Sequence, residues 1–284
     1  MIPNSFDYQR ASSLDEALGL VGRPGTKVIA GGMSLLPLMK LRLANPERLV
    51  DIGRLAELKA QGPTADGGYE VGALVTYAEL IKATSLSWAA EGMEHIGDVQ
   101  VRNRGTVGGS VAHCDPASDL PAVLLALDAE IVARSKRGEK VYAADGFFTG
   151  AFTTALADDE LVTEIRLMAP RDDAGSAFAS LSQRASGYSI VGVAAVVIKE
   201  GGSAITKAGI ALTGVGDAPY RAKAVEAALI GNEGTADSIA AAAAHATDGV
   251  TVAGDIHADS EYRAAMAIVY TKRAIEAALV RLNE

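Results

Sequence analysis

Two glycine pairs constrain this chain more than any other feature. Residues 30–34 read AGGMS and residues 106–110 read TVGGS, each after a short apolar run and each ending on a hydroxyl side chain. A Gly-Gly step breaks helix and strand alike. It also allows φ > 0 and strips side chains from the backbone, so consecutive N–H groups can converge on an anion. Ser34 is expected to cap a helix, where orphan amides and the helix dipole favour phosphate. Tight turns are the simpler use of either pair alone, and neither pair belongs to a GxGxxG or GxxxxGK[ST] fingerprint. Two such loops from separate regions could clamp the two phosphates of a dinucleotide.

The spacing around these breaks predicts the organisation. Helix-like Leu14–Val21, strand-like Lys27–Ala30, a helix from Ser34 to Leu43 and strand Arg48–Ile52 form a βαβ-like unit over residues 1–55. A turn-rich stretch from Gly62 to Gly68 opens a second region. It holds a strand at Tyr69–Gly72, helices near Thr76–Lys82 and Ser85–Ile96, a glycine break at Gly105–Gly109, a helix Leu120–Leu127 capped by Ser118 or Asp119, and strands Glu130–Ala133 and Glu160–Leu167. The polar, proline-bearing run Ala169–Gly175 marks a boundary, giving domains 1–174 (subdomains 1–55 and 56–174) and 175–284. Beyond it, three long strands (Phe178–Arg184, Ile190–Lys199, Ile205–Thr213) precede alanine-rich helices at Tyr220–Ile230, Ala236–Ala246 and Asp259–Leu282. Strands grouped before helices predict an α+β layer pair with a three-stranded antiparallel sheet.

Composition narrows the function. At 284 residues and 49% hydrophobic, the chain has material for two cores. A net charge of −9 and 5% aromatic content argue against nucleic acid as a partner. The most continuous apolar run, Ile190 to Ile198, is half of what a bilayer span requires. The first residues, MIPNSFDYQRASS, lack a basic region followed by an apolar stretch, so a cytoplasmic location is expected. The chain has one cysteine, Cys114, and cannot itself supply the four thiolates of an iron–sulfur cluster. No metal site is expected, because His95, His245 and His257 are not at ligand spacing from His113-Cys114. Cys114 itself reads as a small structural residue. Asp115 and Asp119 flank Pro116, and they serve either as a solvated cap or to fix the hydroxyls of a sugar or ribityl chain.

The stretches AGGMSLLPLMKLRLANPERLVDI (30–52) and QVRNRGTVGGSVAHCDPASDLPAVLLAL (100–127) resemble the FAD-binding medium subunit of the molybdenum hydroxylases, the xanthine dehydrogenase/carbon monoxide dehydrogenase family. SGYSIVGVAAVVI (186–198) and ALTGVGDAPYRAKAVEAAL (211–229) resemble that family's C-terminal domain, so the resemblance covers nearly the whole chain. It implies an α+β fold: a two-subdomain FAD-binding domain of the vanillyl-alcohol-oxidase/PCMH type, then a smaller sheet-and-helix domain. It implies that Ala30, Gly31, Gly32, Met33, Ser34, Leu35 and Leu36 hold the FAD pyrophosphate and its neighbours mainly through backbone N–H, together with Thr106, Val107, Gly108, Gly109 and Ser110. Asp119, with Asp115 nearby, would sit by the ribityl chain, Leu161 and Val162 would line the adenine or flavin side, and Tyr188 would lie by the isoalloxazine ring.

The resemblance further implies a heterotrimer, assembled as a dimer of heterotrimers. A large subunit would carry the molybdenum cofactor and hydroxylate the substrate. A small subunit would pass electrons through two [2Fe–2S] clusters to FAD on this chain, which would reduce an external acceptor. No catalytic residue for the organic substrate is expected here. The alternatives are a self-contained FAD-dependent oxidase or reductase, which needs a general acid or base beside Tyr188, and a non-catalytic nucleotide-binding scaffold. Three positions depart from the family pattern. Cys114 replaces an alanine, Ser186-Gly187 precedes Tyr188 where Gly-Asp is common, and the segment before it reads Phe178-Ala179-Ser180-Leu181-Ser182 where the family often has a lysine or other polar residue. The last two lie where the electronics of a flavin are tuned.

Overall fold

The structure is a computed structural model and describes residues 2–83, 92–94, 96–168 and 171–282. The expected helix Ser85–Ile96 therefore lies largely outside the described residues, as do Ala169 and Pro170 of the expected boundary.

The first unit runs β1 (Asp7–Arg10), α1 (Leu14–Leu20), β2 (Thr26–Ile29), α2 (Leu35–Lys40) and β3 (Arg48–Asp51). Its three strands form a parallel sheet in the order β1-β3-β2. Ser13 starts α1 by accepting the Glu16 amide, and the helix buries Leu14, Ala17, Leu18 and Leu20 against Val50 and Ile52. In α2 only Met39 is buried, so the Leu-rich sequence there is not a core stripe.

The second unit contains β4 (Gln61–Pro63), β5 (Tyr69–Gly72), α3 (Tyr77–Leu80), α4 (Val99–Arg102), α5 (Val107–His113), α6 (Asp119–Ala126), β6 (Glu130–Ser135), β7 (Gly138–Ala143), β8 (Phe148–Gly150), β9 (Thr153–Thr154) and β10 (Leu161–Leu167). β4, β5, β10, β6 and β7 form one antiparallel sheet in that order, and β8 pairs with β9. The sequence predicts no strand at β1, β4, β7, β8 or β9: short or exposed strands at sheet edges and in a two-stranded hairpin carry little of the alternation that burial imposes. Gly108 and Gly109, expected in a loop, lie instead in the first turn of α5, capped by Thr106.

The third unit is β11 (Ala174–Ser182), β12 (Ser189–Ile198), β13 (Lys207–Thr213), β14 (Tyr220–Arg221), α7 (Lys223–Leu229), α8 (Ala236–Ala243) and α9 (Ser260–Leu282). Its sheet has four antiparallel strands, not three: Tyr220 and Arg221, expected to begin a helix, pair with Leu212 and Ala211. Pro219 precedes them and Ala222 adopts a non-helical conformation, so the helix starts only at Lys223. α9 covers one face of the sheet, with Ala274, Ile275 and Ala278 wholly buried.

Every residue of α6 is buried. A helix apolar on all sides needs partners on all sides. It finds Val71, Ile131 and Ile165 of the central sheet together with Phe178, Ala194 and Ala211 of the third unit, in one continuous core. Leu161 similarly extends β10 into the core of the first unit. The three units thus share side chains at both junctions, and the segments around the glycine pairs lie between them.

Candidate functional site

After β2, residues 30–36 turn through Gly31 and Gly32 into α2. Gly31 is obligatory: a Cβ there would stand 1.9 Å from the Arg104 carbonyl oxygen. The loop is thus pressed backbone to backbone against residues 104 and 105, and the Arg104 guanidinium donates to the Gly31 carbonyl at 3.5 Å. Among the described residues, the amides of Gly31, Gly32, Met33, Ser34 and Leu35 find no protein acceptor; the first helical bond is Leu36 N–H to Gly32 O at 3.1 Å. Ser34 sits at the N-cap position but in a helical conformation, and its hydroxyl makes no capping bond. The expected cap is absent. What remains is a bare run of N–H donors with a hydroxyl beside them, a surface suited to an anion.

The second glycine pair is built differently. Thr106 caps α5 by accepting the Gly109 amide at 3.2 Å. Val107 donates to Val75 O at 2.9 Å, Gly108 to Ala73 O at 2.9 Å and Ser110 to Thr106 O at 3.0 Å. Four of the amides expected to face phosphate are consumed within the protein, because α5 is strung along residues 73–75, which hook onto β10 through Ala73 N–H to Thr163 O at 2.9 Å. Gly108 is required there, since a Cβ would lie 2.5 Å from the Ala73 Cβ. The expectation that this pair binds mainly through backbone N–H is therefore corrected. It offers an exposed, side-chain-free turn at Gly109 and the hydroxyl of Ser110.

That hydroxyl opens a polar cluster. Ser110 Oγ lies 3.0 Å from Ser118 Oγ and is close enough to the Tyr77 phenol to lower its pKa against the larger upward push of burial. Ser118 precedes α6 without capping it through its side chain. Asp115 turns the chain by accepting the Ala117 amide at 2.9 Å. Asp119 is 4% exposed and accepts the Ser189 hydroxyl at 2.6 Å. Burial raises its carboxyl to about 7, against the smaller opposing effect of Ser189. Burial also raises Tyr77 and Tyr188, and both feel the charges of Asp115 and Asp119. Tyr188 ends the turn between β11 and β12 and remains half exposed. Asp115, Asp119 and Tyr188 are thereby brought together with Ser110.

Leu161 and Val162 are not brought to this surface by their side chains. Leu161 is buried in the core of the first unit and Val162 in the central core. Cys114 is fully buried in a left-handed conformation at the end of α5, donates Sγ–H to Gly150 O at 3.3 Å, and has its thiol pushed up by burial. It fastens the β8–β9 turn rather than offering a nucleophile. His113 packs on Phe152 with ring centroids 5.1 Å apart, and burial lowers its imidazole. Tyr77, Ser118 and Ser189 were missed by sequence reasoning. Ser189 had a signal in its position beside Tyr188, and Ser118 had one only as a helix cap. Among the described residues no three His, Cys, Asp or Glu side chains form a group able to hold a metal, and no helix is long and apolar enough to cross a membrane.

Comparison with known proteins identifies the family. The family described as FAD binding domain in molybdopterin dehydrogenase matches residues 4–170. The CO dehydrogenase flavoprotein C-terminal domain matches residues 176–278. The chain belongs to the FAD-binding medium subunits of the molybdopterin dehydrogenases. It is 38% identical to the carbon monoxide dehydrogenase medium chain of Hydrogenophaga pseudoflava, over 99% of both chains. It is 37% identical to the glyceraldehyde dehydrogenase medium chain of Sulfolobus acidocaldarius, over 97% of this chain and 99% of that one. The structure superposes with a TM-score of 0.95 on a chain of the Hydrogenophaga pseudoflava carbon monoxide dehydrogenase that lacks the Mo-pyranopterin moiety of its cofactor, at 39% identity and 99% coverage of each. This medium subunit thus has the flavoprotein fold that its glycine motifs resemble.

Proposed function

We propose that this chain is the FAD-carrying electron-transfer subunit of a heterotrimeric molybdenum hydroxylase. It would take electrons from two [2Fe–2S] clusters of a small subunit and pass them to an external acceptor, after hydroxylation at the molybdenum cofactor of a large subunit. The observation that carries the reading is the run of unpartnered amides from Gly31 to Leu35, backed by the second glycine turn. In this assignment Ala30 to Leu36 hold the pyrophosphate, with Met33 and Leu36 supplying apolar cover beside it. Thr106 to Ser110 form the opposite wall: Val107 and Gly108 fix its position, and Gly109 lets a ligand approach bare backbone. Asp115 and Asp119 face the ribityl hydroxyls, Tyr188 lies by the isoalloxazine, and Leu161 and Val162 contribute through the main chain at the start of β10. Bound FAD would link single-electron iron–sulfur chemistry to the external acceptor.

We place the domain division at 174/175, at the first residue of β11 and between the two family matches. We assign the first domain to the vanillyl-alcohol-oxidase/PCMH type, the assembly to a dimer of heterotrimers, and the location to the cytoplasm. One cysteine supports placing the clusters on another chain. Relatives named for carbon monoxide and for glyceraldehyde are almost equally similar, which supports placing the substrate pocket elsewhere too.

The test is direct. The purified complex should show a flavin absorption band, release FAD on denaturation, and contain a large and a small partner chain. A colourless protein that binds ADP as tightly as FAD would favour the scaffold reading. Full dehydrogenase activity from the lone chain would favour the self-contained oxidase.

A further inference from the structure

The 115–119 turn belongs to the first domain, yet several of its polar groups are held by the third unit. Thr213 Oγ, at the end of β13 and fully buried, donates to Pro116 O at 2.8 Å and lies 2.9 Å from Ser118 O. The neighbouring Gly214 amide donates to Pro116 O at 2.7 Å. Ser189, at the start of β12, donates to Asp119. These two strand ends are in turn tied together. Arg263 of α9, itself buried, donates through one guanidinium nitrogen to Ile190 O at 2.7 Å and Gly214 O at 2.6 Å, and pairs with Asp255. A continuous hydrogen-bonded path therefore runs from the last helix through two strands to Asp119.

We propose that Ser189 and Thr213 are positioning residues of the FAD site, through which the C-terminal domain sets the placement of Asp119 and of the turn that carries it. This rests on the reading of Asp119 as a ligand to the ribityl side of FAD. The physical case is that a buried carboxylate with one protein donor has its orientation dictated by that donor. Pro116 O and Ser118 O are part-buried acceptors, and Thr213 with the neighbouring Gly214 amide fixes the backbone on either side of Ala117. Removing Thr213 shifts the turn; removing Ser189 leaves the turn in place and frees the side chain.

The charged and titratable groups around Asp119 are Asp115 on the same turn, Tyr77 from α3, Tyr188 from the β11–β12 turn and His113 at the end of α5, whose own charge interaction is with Asp115. Among the described residues no basic side chain contributes to Asp119, so its proton equilibrium is governed by burial and by Ser189. A carboxylate accepts from ribityl hydroxyls more strongly than a carboxylic acid does, so FAD affinity should weaken as pH falls through the Asp119 equilibrium. Ser189 opposes the upward push of burial; without it the transition moves to higher pH.

The experiment measures FAD dissociation constants for the full chain from pH 5.5 to 8.5, with melting curves alongside to verify folding. Ser189→Ala should weaken FAD about tenfold at pH 7.5, as expected for a lost bond to a charged group, and shift the pH transition upward. Ser189→Thr should restore both. Thr213→Val should weaken FAD without moving the transition, and Thr213→Ser should recover affinity. If Ser189→Ala fails to fold, Ser189→Cys, a weaker donor of similar size, should show an intermediate shift. Wild-type affinity and an unmoved transition in the folded Ser189 variants would overturn the proposal alone. Failure of the wild-type chain to bind FAD at any pH would instead overturn the FAD reading itself.

Discussion

The two glycine pairs are nearly the same sequence put to opposite uses. Gly31-Gly32 follows a parallel strand at the edge of its unit, and nothing among the described residues claims the amides from Gly31 to Leu35. Gly108-Gly109 opens a helix whose amides are spent on residues 73, 75 and 106. The first pair leaves donors available; the second spends its donors on bringing its own wall close. Similar local sequence therefore does not imply similar local chemistry. What separates them is the neighbouring chain: residues 73–75 lie within reach of one pair and not of the other.

That contrast can be broken experimentally, starting where the effect is largest. Gly108→Ala places a methyl against the Ala73 side chain and backbone, and should destabilise the full chain by about 3 kcal/mol, read by urea unfolding. A stability loss below about 1 kcal/mol would undo the assignment of structural work to the second pair.

Next is Asp119. Its folded carboxyl at about 7 lies above the unfolded value of about 4, so the folded state keeps a proton that the unfolded state has lost. Stability should then fall as pH rises from about 5 to 7, by roughly 2 kcal/mol, and Asp119→Asn should abolish that slope in the FAD-free chain. His113, lowered by burial, tilts stability the other way by favouring higher pH. The difference between wild type and Asp119→Asn isolates the carboxyl.

Gly31→Ala should lower FAD affinity at least tenfold, about 1.4 kcal/mol, because its methyl would strike the Arg104 carbonyl and part the two walls. The smallest effects form a matched pair. Thr106→Ala removes a helix cap and should cost about 1 kcal/mol of stability. Ser34→Ala caps nothing, so the melting temperature should hold while FAD affinity drops a few-fold. Exchange of those two phenotypes would reverse the roles assigned to the pairs.

Much of the fold is legible along the chain because burial writes a period into the sequence. β12 and β13, buried along most of their length, read clearly as Val-, Ile- and Ala-rich runs. β14 does not, because two residues beside a proline carry no pattern, and only pairing with Ala211 and Leu212 makes them a strand. Leu161 and Val162 show the complementary limit. The resemblance marks them as site residues, but alternation along β10 sends one side chain into each of two cores. Tyr77 carries no motif at all; α3 and the glycine turn bring its phenol to Ser110.

The sequence by itself determined where the bare backbone lies, that one thiol cannot build a cluster, and that strands precede helices in the last third, because these depend on residue type and local order. Tertiary structure alone decided which glycine amides stay free, why α6 can be apolar on every side, and that Asp119 answers to Ser189 seventy residues away. Hydrogen-bond satisfaction and burial are properties of neighbours in space, and those neighbours exist only once the three units have packed together.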